Sequence, residues 1–317
     1  TSAGSGLRRR AGGRARRDPL AESELSGELI GGSALRKIGL QVPDHNEGRL
    51  DVSQTAFFFD FDGTLAHIVG DPLAVAVEPE VLRAMETLFE ATGGALAIVS
   101  GRSVEQLEAL LKPHAFPLSG VHGQQMRDID GAIEDLPYDK DEHRELIAQC
   151  NDFAAGRHGV IVEAKPGSVA VHYRLAPSEQ AACEAFTEAL HRRHPRVHLL
   201  SGKMVIEIKM GGRTKGDALR DFMERRPFKE RHPVFFGDDV TDEHGFDAVN
   251  ELGGLGFKIG TGTTVAAFRF ADIDEFHGWL LALAASVTEK SAPPMLPPPS
   301  SARQRIRTMQ NSDAVVS

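Results

Sequence analysis

Cysteine is almost absent: Cys150 and Cys183 are the only two in 317 residues, and neither has a CxxC partner or a histidine at ligand spacing. That excludes a disulfide scaffold and a thiolate metal centre, and it fits reduced thiols in the cytoplasm. No apolar run approaches the roughly 18 residues that a membrane-spanning helix needs; Trp279 to Ala285 is among the longest. The expectation is a chain that makes no use of a membrane. Acid is missing from Thr1 to Arg17, which holds six arginines, yet no apolar stretch follows as a secretory signal would require. Taking those six charges from the net −9 leaves −15 on the rest of the chain. So acidic a body argues against nucleic acid as the partner, because phosphate backbones are bound by excess Lys and Arg. What is present is an ordinary globular composition, 41% hydrophobic and 26% charged, long enough for two moderate domains.

Both ends read as loose. Residues 1–53 are rich in Gly, Arg, Ser and Glu without an apolar period, and five prolines fall within Pro293 to Pro299. Between them, short apolar runs that stop at Gly or Asp alternate with segments of helical period, the pattern of a parallel sheet with crossover helices. Three runs matter: Ala56 to Phe59, Ala95 to Val99 and Val234 to Phe236. Each is apolar without alternation, as a strand covered on both faces must be. Ligands of such sheets bind at the carboxyl ends of the strands, so these three ends are expected to converge.

The stretch from about Leu118 to Lys209 reads differently. Val160 to Lys165 and Ser168 to Arg174 alternate around a Lys165-Pro166-Gly167-Ser168 turn, a helix is expected over Ser178 to Arg193, and a second turn at Ser201 to Lys203 separates two more strands. This is an antiparallel α+β module inserted into the α/β unit. Pairing Lys165 with Ser168 places Glu163, Lys165, Ser168, His172 and Arg174 on one polar face, which Glu207 can join.

Four blocks carry chemistry. In Asp60-Phe61-Asp62-Gly63-Thr64 two carboxylates spaced by two leave a strand end together; their repulsion is relieved by a bound Mg2+. Ser100-Gly101-Arg102-Ser103 precedes a helix that Ser103 and Gln106 cap, and free backbone N–H groups there suit a phosphate oxygen. Lys215 opens another helix, where a cation is the wrong charge for the dipole and so points to an anionic partner. Gly237-Asp238-Asp239-Val240-Thr241-Asp242-Glu243 places four acids directly after a buried strand, a cation-binding pattern.

In this order the blocks resemble the haloacid dehalogenase superfamily, and the resemblance spans about Ala56 to Ala285. With GVHG (Gly120 to Gly123), the Glu163 and Lys165 pair, HYR (His172 to Arg174) and GDDVTDE added, the chain resembles the trehalose-6-phosphate phosphatases of that superfamily. The resemblance implies a Rossmann-like core over 54–120 and 210–286, an α+β cap over 121–209, an N-terminal extension over 1–53 and a Pro-rich flexible tail over 287–317. It implies hydrolysis of trehalose 6-phosphate, the last step of trehalose biosynthesis, with Mg2+ as cofactor and a trehalose-6-phosphate synthase as a partner. Asp60 would attack phosphorus, Asp62 would protonate the leaving sugar and then activate water, and Thr64, Ser100 and Lys215 would complete the catalytic group. The metal set would be Asp60, Asp62 through its carbonyl, Asp238, Asp239 and Asp242. Gly101, Arg102, His122, Glu163, Lys165, His172, Arg174 and Glu207 would bind substrate, with Arg127 near the linker helping to close the cap. A hinge is expected near 118–125 and 209–213. Gln124-Gln125 departs from the family, which often carries a small residue and an acid there. Another capped sugar phosphatase, a phosphomutase and a non-catalytic partner of a synthase are the competing readings.

Overall fold

Three consecutive phenylalanines set the centre of the fold. Phe57, Phe58 and Phe59 are all fully buried in β1 (Thr55–Phe59). Successive side chains of a strand point to opposite faces, so a strand that is apolar throughout must be covered twice. Phe57 and Phe59 enter one core with α1 (Pro79–Ala91), α2 (Val104–Leu111) and α7 (Ile273–Glu289), through Met85, Leu107, Phe276 and Leu280. Phe58 enters the other with α5 (Lys215–Met223) and α6 (Glu243–Glu251), through Leu219, Phe222 and Phe246. The structure, a computed structural model, describes residues 49–69 and 75–300. The readings of the arginine-rich segment and of the chain after Ser300 fall outside the described residues.

β1 is flanked by β2 (Leu96–Val99) and β10 (His232–Gly237), both parallel to it, so the three strand ends named from the sequence are neighbours. On one side the sheet continues in parallel with β11 (Leu255–Ile259) and β12 (Phe268–Phe270); on the other it runs through β3 (Leu118–Gly120). It then turns antiparallel with β4 (Gln125–Arg127) and β5 (Ile133–Asp135), giving eight strands in the order β12-β11-β10-β1-β2-β3-β4-β5. Residues 125–135 therefore belong to the core sheet, and the inserted module begins later than residue 121. These strands are three residues each, too short to show a period.

The module itself is α3 (Lys140–Ala154), β6 (Ile161–Lys165), β7 (Ser168–His172), α4 (Gln180–Arg193), β8 (His198–Gly202) and β9 (Val205–Lys209), with its own antiparallel sheet in the order β6-β7-β9-β8. Lys165 pairs with Ser168, and Glu163, Ala170, Glu207 and Leu200 lie side by side across all four strands. Val169, Val171, Ile206 and Ile208 bury the opposite face against Leu146, Cys150, Cys183 and Leu190 of the two helices. The polar face is thereby left for the core.

Both margins of the core differ from the loose ends read in the sequence. Leu50 and Val52 are buried, and the Thr55 hydroxyl donates to the Asp51 carbonyl at 2.7 Å. At the other end α7 runs to Glu289 and the proline stretch lies along β12, where Trp279 Nε1 donates to the Met295 carbonyl at 2.8 Å and Arg269 N to that of Pro298 at 3.1 Å. Proline offers carbonyls and no N–H, so an extended proline run can cover a sheet edge without propagating it.

Candidate active site

Asp60 follows β1 directly. Its carboxylate is buried, and Lys215 Nζ donates to Oδ1 at 2.6 Å from the first turn of α5. The same ammonium donates to Asp242 Oδ1 at 2.6 Å. Asp242 has no exposure, and its Oδ2 accepts from the Asp238 and Asp239 backbone N–H groups at 3.0 and 2.9 Å, so the loop after β10 folds around it. Carboxylate oxygens of Asp60, Asp238 and Asp242 all lie within 4.8 Å of one another. Burial, followed by the negative charge of Asp242, pushes the Asp60 carboxyl well above its ordinary value in spite of Lys215. Burial alone would depress Lys215; Asp242 and Asp60 instead hold it above the usual lysine range.

Buried carboxylates of one sign so close together suit a hard divalent cation. Asp238 Oδ1 supports the fit, being a buried acceptor without a hydrogen-bond partner. The carboxylates of the two other aspartates of the metal set are engaged elsewhere; for Asp62 the expected ligand is its carbonyl. Asp239 turns its carboxylate back onto the Val240 N–H at 2.8 Å as a helix cap. The Asp62 carboxylate is held by Arg102, whose Nε and Nη2 donate to Oδ2 and Oδ1, both at 2.7 Å. A paired fork of this kind fixes the plane of a carboxyl group. Arg102, assigned to substrate from its motif, thus orients a carboxylate.

Ser100 is buried at the end of β2 and accepts from the Arg102 N–H at 3.2 Å through Oγ. The Gly101 carbonyl accepts from Lys165 Nζ at 2.9 Å. Thr64 is fully buried, its hydroxyl has no partner, and its carbonyl is paired with His277 Nε2 at 2.9 Å. Gly63 has φ +86°, and a Cβ there would stand 2.4 Å from the Asp238 carboxyl carbon, so only glycine lets the loop after β1 approach the acidic cluster.

The cap's polar face closes over this floor. Glu207 is buried and receives Ser168 Oγ at 2.9 Å, Lys165 Nζ at 3.3 Å and His122 Nε2 at 2.8 Å. Val121 and His122 both take left-handed backbone, φ +48° and +53°, and this strained turn delivers the imidazole beneath the cap. Burial holds His122 below its ordinary value, against the pull of the Glu207 carboxylate. Glu163 accepts from His172 Nε2 at 2.9 Å and from Gln106 Nε2 at 2.6 Å. Gln106, visible in the sequence only as a helix cap, keeps that role through Oε1, which accepts from Ser103 N–H at 2.9 Å, while its amide reaches the cap. Arg174 lies at the rim, with Nη1 on the Val69 carbonyl at 2.9 Å. Arg127 turns away to Glu108 and the Phe116 carbonyl and takes no part. The departure at Gln124-Gln125 is structural: Gln125 Oε1 caps α2 at Val104 N–H, 3.1 Å, and Gln124 bonds the Leu136 carbonyl at 2.6 Å.

Two lysines went unread. Lys258 is buried and donates to the Asp238 carbonyl at 2.7 Å, bracing the acidic loop. Lys203 comes from the cap and reaches Asp238 Oδ2 at 2.7 Å. Neither lies in a motif; a lone lysine in an apolar strand, Lys258 in β11, was the one available signal. Beside them a cleft of about 620 Å3 opens to solvent, lined by Gly63, His67, Lys203, Asp238 and Lys258 among others.

A parallel sheet whose first strand ends in paired aspartates, with a lysine and an acidic loop from neighbouring elements and an antiparallel cap above, is a capped haloacid dehalogenase-like fold. Comparison with known proteins narrows the class. The trehalose-phosphatase family model matches residues 58–272. The trehalose-6-phosphate phosphatase of Escherichia coli (strain K12) is 42% identical over 235 residues, which cover 74% of this chain and 88% of that protein. A probable trehalose-phosphate phosphatase of Sinorhizobium fredii is 42% identical over 214 residues, 66% of this chain and 79% of the other. The C-terminal domain of the Candida albicans trehalose-6-phosphate phosphatase shares the fold, with a TM-score of 0.66 at 24% identity over 74% of this chain and 92% of that one. The chain belongs to the trehalose-phosphatase family.

Proposed function

We propose that the protein hydrolyses trehalose 6-phosphate to trehalose and inorganic phosphate through a phosphorylated Asp60, with Mg2+ held by Asp60, Asp238 and the Asp62 carbonyl and Asp242 supporting it. Lys215 ties up Oδ1 of Asp60, which leaves Oδ2 to attack. The bond from Oδ2 to phosphorus forms as the bond from phosphorus to the sugar oxygen breaks, and Asp62 gives its proton to that oxygen. Asp62 then takes a proton from water, whose oxygen attacks phosphorus and releases Asp60. Arg102 keeps Asp62 in one orientation through both steps, and Ser100 and Lys215 hold phosphoryl oxygens. When bound, Mg2+ neutralises the charge of the transferring group.

The carrying observation is that Glu163, Lys165, Glu207, His122 and His172 form one interconnected polar lining directly above Gly101. A lining of fixed donors and acceptors rewards a ligand rich in hydroxyls and penalises one that leaves them unpaired. Lys165→Ala and Glu207→Gln are expected to lower kcat/KM for trehalose 6-phosphate at least about a hundredfold while p-nitrophenyl phosphate, which has no sugar, is turned over nearly as before. Equal losses on both substrates would remove the cap face from sugar recognition.

A further inference from the structure

Lys203 stands at the tip of the β8–β9 hairpin. The strands pair as far as Gly202 with Val205, so the turn consists of Lys203 and Met204 alone, and Met204 takes φ +64° to close it. The turn carries an ammonium off the cap and onto Asp238. Of the contacts described above between cap and core, Lys165 with the Gly101 carbonyl, Gln106 with Glu163, His122 with Glu207 and Arg174 with the Val69 carbonyl all avoid the acidic cluster. Lys203 ends on it. The pair is lopsided: the Asp238 side chain keeps 9% of its exposure, that of Lys203 52%. Asp238 is also split between its oxygens, Oδ2 being bound by Lys203 and Oδ1 buried without a partner.

We propose that Lys203 is a stand-in cation, which neutralises Asp238 while the metal site is empty and yields it when a divalent ion binds. The inference rests on reading Asp60, Asp238 and Asp242 as that ion's site. A divalent charge on the same carboxylate draws off the negative charge that holds the ammonium and repels the ammonium at short range. The coupling is reciprocal: if the ion loosens the hairpin tip, the tip weakens the ion's hold by the same factor. The way out exists, because Lys203 and Asp238 both line the solvent-open cleft and the lysine stem is half exposed. The device would keep the carboxylates compensated and the hairpin docked in metal-free protein, and free the hairpin once the ion is seated.

The test titrates the full metal-free chain with Mn2+ by electron paramagnetic resonance, comparing wild type, Lys203→Met and Asp238→Asn, and follows amide hydrogen exchange over residues 201–205 with and without Mg2+. Lys203→Met is expected to bind Mn2+ roughly three- to tenfold more tightly. In wild type the turn is expected to exchange faster with Mg2+ than without it, and in Lys203→Met to be insensitive to the ion. Equal or weaker Mn2+ binding by Lys203→Met, or slower exchange of the wild-type turn with Mg2+, overturns the inference while leaving the metal site intact. Undiminished Mn2+ binding by Asp238→Asn overturns the metal site and the inference with it.

Discussion

Lys215 joins Asp60 to the acidic loop, and its energetics follow from burial. With 3% exposure it faces two carboxylates at 2.6 Å, and removing one partner of a buried ionic group leaves the others uncompensated. Lys215→Met is expected to cost about 3–5 kcal/mol by denaturant unfolding of the metal-free protein, with part of the loss restored by Mg2+; a loss below about 1 kcal/mol would contradict this pairing. At this scale the sequence shows which residues carry charge at strand ends and little of whom they face. Asp60, Ser100, Lys215 and Asp242 are readable because each sits beside a buried strand or a capped helix. Arg102 taking Asp62, Gln106 reaching Glu163 and Lys203 reaching Asp238 bridge 40, 57 and 35 residues. No local pattern encodes such partners.

Among the elements, the loop after β1 shows how tightly backbone and chemistry are joined. Gly63 has left-handed φ and no room for a Cβ, since Asp238 occupies it. Gly63→Ala is expected to lose about 1–3 kcal/mol of stability and also to weaken Mn2+ binding, because the methyl displaces the Asp238 carboxylate. Calorimetric unfolding and an Mn2+ titration check the two parts, and unchanged Mn2+ affinity would contradict the close approach. The long apolar strands were legible because full burial removes alternation, and the cap hairpin because its period is two. The three-residue strands β4 and β5 and the proline run against β12 were not. Their places depend on an edge that exists only after the sheet has formed.

For the whole molecule, the question is what holds cap to core. Burial by itself would raise Glu163, yet the hydrogen bond from His172, the charge of Lys165 and the hydrogen bond from Gln106 hold it down to about 2 from an ordinary 4.5. Glu207 is likewise opposed by burial and held far below the usual range by Lys165 and His122. A carboxyl depressed in the folded state stabilises it fully above 4.5, and that contribution disappears as pH falls from 4.5 towards 2. Urea midpoints measured across this window should fall, and fall less in Glu163→Gln; an identical slope in the variant would contradict the account.

The proposed phosphoryl transfer by Asp60 beneath a disaccharide-binding cap is open to one decisive assay: Mg2+-dependent phosphate release from trehalose 6-phosphate, sucrose 6-phosphate, glucose 6-phosphate and p-nitrophenyl phosphate, with Asp60→Asn alongside. Selective turnover of trehalose 6-phosphate, abolished in Asp60→Asn, is the expected result. Preference for another sugar phosphate would contradict the cap assignment, and turnover surviving in Asp60→Asn would contradict the mechanism.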